Sequence, residues 1–346
     1  MTETDYKGKR ILITGGTGSV GMALAKKLVE KGAIDIRILD NNENGLFNAM
    51  QELKSGGPVK FFVGDVKDKE RIRRAMNGVD IVFHLAALKH VWICEYNPFE
   101  AVKSNIQGIQ NVIDVAMEEN VEKFIFTSSD KAVNPSNVMG TTKLMGEKLT
   151  TAADYSRGHT KTIFLSVRFG NILGSSGSVI PIFQEQIKNK KPVTVTDPKM
   201  TRFVISMDQA TNLIFKAADI AKGGEVFILK MDSINIKDLA ETMVQDITSG
   251  NGTKPEEIEI TINEGGPGEK YHEDLMTEQE NTRVMETDDM FIIIPEIKGL
   301  GETDTYEYAN AQKSDKKCYN SGDVTLLSKE EISKLLKEEK LIWMFL

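Results

Sequence analysis

The feature that most constrains the fold of this chain is a glycine-rich turn close to its N-terminus. The apolar segment Arg10–Thr14 is predicted to form a short buried strand, and residues 22–31 an amphipathic helix. The turn between them has the spacing Gly16-x-Gly18-x-x-Gly21, which permits a tight turn and close approach of the backbone to a bound group. This pattern predicts the first strand-turn-helix unit of a parallel sheet, although a glycine-rich turn of purely structural use is the alternative.

Further apolar strands alternate with helical segments along the first half of the chain. Strands are predicted at residues 34–39, 59–63, 81–85, 121–127 and 163–168, and helices at 68–77 and 98–120. Such alternation predicts an α/β fold of the Rossmann type, with a doubly wound parallel sheet and right-handed crossovers. After the sixth strand the elements become short and are interrupted by proline and glycine.

The second strand is predicted to end in an acidic residue, Asp40. In dinucleotide-binding folds a carboxylate about 20 residues after the glycine-rich turn accepts hydrogen bonds from a ribose. A carboxylate there would repel a 2′-phosphate, and no arginine lies in residues 41–45, so NAD is favoured over NADP. Asp65 is a candidate for the adenine amino group, or a turn-forming residue. Ala86 and Ala87 are small enough for the cofactor to lie close, although core packing explains small residues equally well.

The length of 346 residues allows two domains. We expect residues 1–174 to form an NAD-binding Rossmann domain. Residues 175–346 would form mainly a smaller α/β substrate-binding lobe and a C-terminal tail, with some segments returning to the Rossmann sheet. An apolar run at 290–294 and a charged helix at 328–340 lie in this second part.

Charge and composition exclude several classes of function. The net charge of −8 argues against nucleic acid as the main partner. The four histidines show no metal-ligand spacing, so no metal is expected. Two distant cysteines imply no disulfide framework, and no apolar run approaches the length of a membrane span. We therefore expect a cytoplasmic protein.

The polar stretch 126–143 gathers acid, amine and hydroxyl side chains at the predicted carboxyl end of the fifth strand. Ligands bind at this edge of open α/β sheets. Asp130 and Lys131 are candidates for an acid and a base, because burial raises the pKa of a carboxyl group and lowers the pKa of an amine. Both can face one substrate only where the strand has unwound, since neighbouring strand residues point to opposite faces. A solvated Asp-Lys pair at a strand end is the alternative.

Several motifs resemble those of a known family. Thr14-Gly-Gly-Thr-Gly-Ser-Val-Gly21 resembles the glycine motif of extended short-chain dehydrogenases/reductases. From about residue 8 to residue 330 the chain also resembles the UDP-N-acetylglucosamine 4,6-dehydratases of polysaccharide biosynthesis. This closer resemblance is carried by the motifs Ala86-Ala-Leu-Lys-His-Val91, Glu95-Tyr-Asn-Pro98, Ser128-Ser-Asp-Lys-Ala-Val-Asn-Pro135, Asn137-Val-Met-Gly140, Arg168-Phe-Gly-Asn171, Met200-Thr-Arg-Phe203 and Gly268-Glu-Lys270.

The resemblance implies an NAD-dependent lyase that oxidises the sugar at C4, eliminates water across C5 and C6, and returns the hydride to C6. Asp130 would act as acid, Lys131 as base, and Lys143 would hold the nicotinamide ribose. Met139 stands where most of the superfamily has the tyrosine of Tyr-x-x-x-Lys, and a thioether is neither acid nor base. A methionine here marks a branch of these dehydratases associated with retention at C5. The 4-hydroxyl proton would then pass to Ser129, or to a water positioned by Asp130.

The resemblance and the strand ends together give two sets of site residues. Lys89 and Asn105 are expected to face the cleft, Asn171 and Arg202 to bind the diphosphate, and residues 177–181 and 193–195 to flank the uracil. The predicted cofactor contacts are Gly15, Thr17, Gly18, Ser19, Val20, Gly21, Asp40, Asn41, Asp65, Val66, Leu85, Ala86, Ala87, Lys89, Asn105, Lys143 and Ile172. The predicted substrate contacts are Lys89, Ser128, Ser129, Asn171, Ser178, Val179, Val193, Thr194, Arg202 and Glu269.

Two other functions remain open from the sequence. A UDP-sugar 4-epimerase on the same scaffold would oxidise and reduce one carbon without loss of water, but would need the missing tyrosine. A non-catalytic NAD-binding sensor or scaffold would bind the cofactor without turnover. The expected partners are a UDP-sugar, with UDP-N-acetylglucosamine favoured, and further copies of the chain in a homodimer or higher homo-oligomer.

Overall fold

The computed structural model describes residues 6–53, 57–251, 254–263, 265–266, 268–296 and 306–342. The strands are β1 (Arg10–Thr14), β2 (Asp35–Asp40), β3 (Val59–Val63), β4 (Ile81–His84), β5 (Lys123–Thr127), β6 (Ile163–Arg168), β7 (Asn171–Ile172), β8 (Val193–Val195), β9 (Thr201–Ile205), β10 (Val226–Leu229), β11 (Asp232–Asn235), β12 (Ile260–Ile262), β13 (Asp274–Met276), β14 (Val284–Glu286), β15 (Met290–Ile293), β16 (Gln312–Lys313) and β17 (Tyr319–Asn320).

The α-helices are α1 (Ser19–Glu30), α2 (Glu43–Glu52), α3 (Lys69–Met76), α4 (Val91–Tyr96), α5 (Pro98–Ala101), α6 (Gly108–Glu118), α7 (Val138–Ser156), α8 (Val179–Lys188), α9 (Met207–Ile220), α10 (Ile236–Asn251), α11 (Glu278–Asn281) and α12 (Lys329–Glu338). A π-helical segment, Val102–Gln107, joins α5 to α6, and short 3₁₀ turns lie at Asp130–Ala132 and Pro255–Glu257.

A ten-stranded sheet has the order β3-β2-β1-β4-β5-β6-β10-β15-β14-β16. The strands from β3 to β10 run parallel, and β15, β14 and β16 continue the sheet antiparallel. The central strands are almost wholly buried, as expected where helices cover both faces of a parallel sheet. This arrangement confirms the predicted doubly wound α/β fold of the Rossmann type.

Most element boundaries of the first half agree with the sequence patterns, and the differences have local causes. Helix α1 begins at Ser19 rather than at residue 22, because Gly18 already has the extended backbone of an N-cap. The segment predicted as one helix at 98–120 contains the π-helical turn. Helix α4 was not predicted, since it is only 6 residues long.

The second half of the chain contributes to two places. Strands β10, β14, β15 and β16 extend the large sheet, whereas helices α8, α10 and α12 surround a separate apolar core with β8 and β9. The division of the chain at residue 174 stays a prediction. Among the residues that the structure describes, no helix is both long and apolar enough to cross a bilayer.

A buried ion network holds the segment before α11 against α7. The guanidinium of Arg168, which is 1% exposed, pairs with Glu147 at 2.6 Å and with Glu280 at 3.0 Å. Its Nη1 also donates to the carbonyl oxygen of Leu275 at 2.7 Å. Strand β13 is therefore fixed beside the end of β6, although it lies more than a hundred residues away in sequence.

Candidate active site

A cavity of about 840 Å³ lies along the carboxyl ends of the parallel strands. Its wall combines the glycine-rich turn and the ends of β2 to β5 with later segments around residues 169–179, 194–202 and 266–273. Ligands bind at this edge in open α/β sheets. The first group of residues forms what we call the cofactor half, and the residues from Ser128 onward form the catalytic half.

Two glycines of the turn occupy positions that no side chain could share. Gly15 has φ +66°, and a Cβ atom there would lie 2.6 Å from the backbone nitrogen of Ala86. A Cβ atom on Gly21 would lie 2.6 Å from the Cα atom of Gly16. The turn thus brings the backbone against β4 and directs the N-terminus of α1, which carries partial positive charge, into the cavity.

Asp40 lies at the end of β2 with its carboxylate fixed by the turn. Its Oδ2 accepts hydrogen bonds from the backbone nitrogen and the Oγ1 of Thr17, at 3.1 and 2.7 Å, and its Oδ1 accepts from the nitrogen of Asn42 at 3.0 Å. Beyond it, Asn41 donates to Asp65 at 3.2 Å. Asp40, Asn41 and Asp65 all line the cavity.

Met139 and Lys143 lie one turn apart on α7 and both line the cavity. The Nζ of Lys143 donates to the carbonyl oxygen of Thr127 at 2.9 Å and lies 4.8 Å from the centre of the Phe126 ring. Burial lowers the pKa of Lys143 to about 8. Its ammonium therefore lies at the end of β5, where the two halves of the cavity meet.

His84 is buried beneath this junction. Its Nδ1 forms a hydrogen bond of 2.7 Å with the Oγ1 of Thr14. Burial, and then the nearby charge of Lys143, lower the pKa of His84 to about 3. A neutral imidazole at this place avoids a second buried cation beside Lys143.

The predicted catalytic pair lies just past the end of β5, where the 3₁₀ turn Asp130–Ala132 has replaced the strand. The Oδ1 of Asp130 accepts from the Oγ of Ser129 at 2.6 Å, and from the backbone nitrogen and Nζ of Lys131 at 2.8 and 3.1 Å. Lys131 and Ser129 line the cavity, but Asp130, which is 1% exposed, is not among the described residues that do.

The sequence led us to expect a lowered pKa and a neutral amine at Lys131, and this prediction is wrong. Burial by itself lowers the pKa of Lys131, but the carboxylates of Asp130 and Glu273 outweigh it, so that the pKa is raised. The sequence pattern gave no reason to place a second carboxylate beside this amine. Lys131 is therefore an ammonium held between two acids.

Glu273 is a charged residue of the cavity wall that the sequence did not predict as part of the site. It is 3% exposed and lines the cavity, with its Oε1 3.6 Å from the Nζ of Lys131 and 3.8 Å from the Nε of Arg202. Burial raises the pKa of Glu273, the charge of Lys131 opposes this, and Asp130 adds to it. The available signal was its position three residues after the motif Gly268-Glu-Lys270.

Arg202 and Lys89 are further cations on the wall of the cavity. The guanidinium of Arg202 donates to the carbonyl oxygens of Thr201 and Tyr271 at 2.8 and 3.2 Å, and lies 3.4 Å from Glu269. The Nζ of Lys89 donates to the carbonyl oxygen of Ser176 at 2.6 Å, and burial lowers the pKa of Lys89.

Most of the predicted contacts share this one cavity. The predicted residues on its wall are Gly15, Thr17, Gly18, Ser19, Val20, Gly21, Asp40, Asn41, Asp65, Val66, Leu85, Ala86, Ala87, Lys89, Ser128, Ser129, Lys131, Met139, Lys143, Asn171, Ile172, Ser178, Val179, Thr194, Arg202 and Glu269. Their roles toward a bound molecule stay predictions.

Two other predicted contacts lie elsewhere. Asn105 uses both ends of its amide to hold the backbone of Leu88, at 2.8 and 2.9 Å, and also donates to Thr142 at 2.9 Å. It supports the loop after β4 and does not line the cavity. Val193 is fully buried in the core of the C-terminal lobe and pairs with Ile260, so its neighbour Thr194 is the residue on the cavity wall.

The fold and the arrangement of the site define an extended short-chain dehydrogenase/reductase. The chain matches the family described as "Polysaccharide biosynthesis protein" over residues 11–295 and belongs to that family.

Three relatives illustrate its range. An "Uncharacterized membrane protein MJ1061" of Methanocaldococcus jannaschii is 51% identical over 333 residues, 96% of each chain. A "UDP-N-acetylglucosamine 4,6-dehydratase (inverting)" of Campylobacter jejuni is 39% identical over 85% of each chain. A "UDP-glucose 4-epimerase" of Rickettsia canadensis is 35% identical over 96% of each chain.

Solved structures show the same fold. The X-ray structure of Pen from Bacillus thuringiensis superposes with a TM-score of 0.90 at 42% identity, covering 97% of this chain and 99% of that one. The dTDP-glucose 4,6-dehydratase DesIV of Streptomyces venezuelae, solved with NAD bound, has a TM-score of 0.66 at 18% identity, covering 73% of this chain and 84% of that one. The latter likeness concerns the fold.

Proposed function

We propose that this protein is an NAD-dependent UDP-N-acetylglucosamine 4,6-dehydratase. Its product is a UDP-4-keto-6-deoxy-N-acetylhexosamine for glycan biosynthesis. The observation that carries the proposal is the position of Lys131, which lies between two carboxylates on the wall of the cavity that also contains the glycine-rich turn and Lys143. An acid and a base within reach of neighbouring carbons are what an elimination requires.

The cofactor half fits NAD. The turn at Gly15 and Gly21 leaves room for a pyrophosphate at the start of α1, and the fixed carboxylate of Asp40 is placed to accept hydrogen bonds from a ribose. Of the described residues of this half, no arginine lines the cavity, which favours NAD over NADP. When bound, NAD takes up a hydride from the sugar and returns it.

The remaining steps of the reaction fall to Lys143, Ser129 and Lys131. Lys143 holds the nicotinamide ribose and places a cation where the 4-hydroxyl is oxidised. Ser129, whose Oγ donates to Asp130, accepts the 4-hydroxyl proton while passing its own to that carboxylate, or a water positioned by Asp130 takes this part. The C4 ketone makes the C5 proton acidic, and Lys131 removes it as the 6-hydroxyl leaves as water. Lys131, whose protons exchange with solvent, then protonates C5, and the hydride is delivered to C6.

The sugar nucleotide occupies the catalytic half. Its diphosphate lies near Lys89 and Arg202, because both are cations on the cavity wall and Arg offers a fork that matches phosphate. Burial disfavours the charge of Lys89, and an anion would offset that effect. Ser178, Val179 and Thr194 flank the uracil.

The relative named as a 4-epimerase makes epimerisation the second candidate. Epimerisation needs a group that removes the 4-hydroxyl proton and later returns it. Unlike dehydration, it involves no loss of water. Met139 occupies the wall of the cavity where a tyrosine would do this, and its thioether carries no proton. Dehydration is therefore favoured.

The configuration at C5 is the finer part of the proposal. We favour retention, because Met139 replaces the tyrosine, even though a relative 39% identical is named as an inverting enzyme. Reduction of the 4-keto product to its 4-alcohols, whose H4–H5 coupling constants in NMR spectra report the configuration at C5, separates the two outcomes. A product with the inverted configuration would remove Met139 as the determinant.

The function is tested by incubating the protein with NAD and UDP-N-acetylglucosamine in heavy water and recording a mass spectrum. Dehydration predicts loss of one water with one deuterium gained at C5. An unchanged elemental composition with a new sugar configuration would mean epimerisation. Bound NAD without any product would support a binding protein instead.

Association between copies is a further part of the proposal. The segment after β4 exposes a row of large apolar side chains, with Trp92, Ile93, Tyr96 and Phe99 between 52% and 77% exposed. A contiguous apolar surface of this kind is typical of an interface. The mass of the protein in solution, compared with that of a Tyr96→Arg variant, tests whether copies associate there.

A further inference from the structure

The two acids beside Lys131 differ in what they offer to a substrate. Asp130 has its Oδ1 occupied by three donors and does not line the described cavity. Glu273 lines the cavity and has no hydrogen bond to Lys131, only an ion contact of 3.6 Å. Its Oε2 is buried without a hydrogen-bond partner among the described residues. The Oδ2 of Asp130 is likewise buried without a partner among the described residues, so what sets Glu273 apart is that it lines the cavity and Asp130 does not.

The backbone around Glu273 is held in place. Its nitrogen donates to the Oγ of Ser321 at 2.9 Å, and its carbonyl oxygen accepts from the nitrogen of Ser321 at 2.9 Å. The following strand β13 pairs with β17 and is anchored through Leu275 to the buried Arg168. A carboxyl group on such a fixed backbone has the preorganisation that an acid–base residue needs.

The positive charge of Lys131 before the reaction conflicts with its role as a base. A base must be uncharged at its nitrogen, yet Asp130 and Glu273 hold Lys131 as an ammonium. The proton of Lys131 therefore needs an acceptor on the cavity wall before the amine can act. Burial already favours the protonated form of Glu273, with Asp130 adding to this and Lys131, Arg202 and Lys270 opposing it.

We propose that Glu273 is a catalytic residue, which takes a proton from Lys131 and then donates it to the departing 6-hydroxyl. This inference rests on the proposed dehydratase function. One transfer turns the Lys131 ammonium and the Glu273 carboxylate into a neutral amine and a carboxylic acid. Base and acid thus arise together, facing neighbouring carbons.

The protons and bonds balance. Lys131 takes the C5 proton, the C5–C6 double bond forms, and the C6–O bond breaks with its electron pair on oxygen. Glu273 protonates that oxygen, which leaves as water, so that Lys131 is again an ammonium and Glu273 a carboxylate. The hydride taken from C4 returns to C6, and Lys131 returns its proton to C5. The proton released from the 4-hydroxyl finally restores the ammonium.

The test compares Glu273→Gln with the wild-type holoenzyme, using UDP-N-acetylglucosamine and its 6-deoxy-6-fluoro analogue. A carboxamide neither accepts nor donates the proton, so water loss falls by about 10² to 10⁴-fold. Fluoride leaves with little proton assistance, so the deficit of the variant becomes smaller with the fluoro analogue. A purely structural defect would slow both substrates equally. Retained binding of NAD and of UDP shows that the variant is folded.

Two further variants serve as comparisons for Glu273→Gln. Glu273→Asp keeps an ionisable group and should recover part of the rate. Asp274→Asn changes the neighbouring carboxylate, which pairs with Lys270 and Asn320 and does not line the described cavity, and should react as the wild type does. Wild-type water loss together with an equal rate in Glu273→Gln would overturn the inference. A wild-type protein that releases no water would instead overturn the proposed function.

Discussion

The two halves of the cavity are built in different ways. The cofactor half comes from the glycine-rich turn and the ends of β2 to β5, all within residues 15–127, and its carboxylate, Asp40, accepts three hydrogen bonds from Thr17 and Asn42. The catalytic half is assembled from distant segments, and Ser128 Oγ, Asp130 Oδ2 and Glu273 Oε2 are buried without hydrogen-bond partners in the described chain. Buried polar groups are normally paired. The hydrogen-bonded polar groups of the cofactor half suit the binding of a ligand. The unpaired polar groups of the catalytic half are instead available to take part in a reaction.

This difference also explains what the sequence could predict. The cofactor half follows from local rules, because the turn needs glycine at fixed spacing and the strand end fixes Asp40. Glu273 lies 143 positions after Asp130, and no local pattern encodes that contact. It depends on the Arg168 network and on the pairing of β13 with β17, which are tertiary features. The pKa of Lys131 was wrongly predicted for the same reason, since burial was foreseen and the second carboxylate was not.

Asn105 shows a second limit of sequence reasoning. A polar residue near the site was expected to contact ligand, but its amide is used by Leu88 and Thr142. The π-helical segment that contains it, Val102–Gln107, was not predicted, because the sequence pattern indicated one continuous helix.

The largest effect on the rate of water loss should follow from a substitution in the catalytic half. Lys131→Ala removes the base, and water loss should fall on the order of 10³-fold. NAD affinity, measured by fluorescence titration, should stay unchanged because no cofactor-half contact is altered. A variant with full activity would remove Lys131 from the base role, and one that loses NAD would show that the halves are not separate.

A substitution in the glycine-rich turn of the cofactor half should lower both the affinity for NAD and the stability of the fold. Gly15→Ala places a methyl group against the backbone of Ala86 at a positive φ, and should lower the free energy of unfolding by roughly 1–3 kcal/mol. NAD affinity should fall as well. Gly78→Ala is the matched control, since Gly78 has φ +69° but nothing within 4 Å of an added Cβ atom. Equal losses in both variants would show that the close approach to Ala86 is unimportant.

Asp40 should control the choice of cofactor. Asp40→Asn removes the negative charge at the ribose site, so the preference for NAD over NADP should fall about tenfold, or about 1.4 kcal/mol. The ratio of the two dissociation constants measures this, with Lys131→Ala as a control from the other half. An unchanged ratio would move the determinant away from Asp40.

His84, between the halves, should make folding sensitive to acid without a direct effect on the reaction. Its pKa is about 3 in the folded protein and 6.5 in the unfolded chain, so the unfolded chain binds more protons between these values. Stability should therefore fall as the pH drops below 6.5, by at most about 1.4 kcal/mol per pH unit. Urea midpoints at several pH values should show a flatter dependence in His84→Gln. The same slope in both proteins would assign the acid sensitivity to other groups.

Both halves of the cavity should act on one sugar, and the fate of the hydrogen at C4 shows whether they do. UDP-N-acetylglucosamine carrying deuterium at C4 is converted in ordinary water and the product is examined by NMR and mass spectrometry. We expect a product that has lost water and carries the deuterium at C6, moved there through NAD. Deuterium still at C4 of a sugar that has kept its oxygen, or lost to solvent, would contradict this expectation.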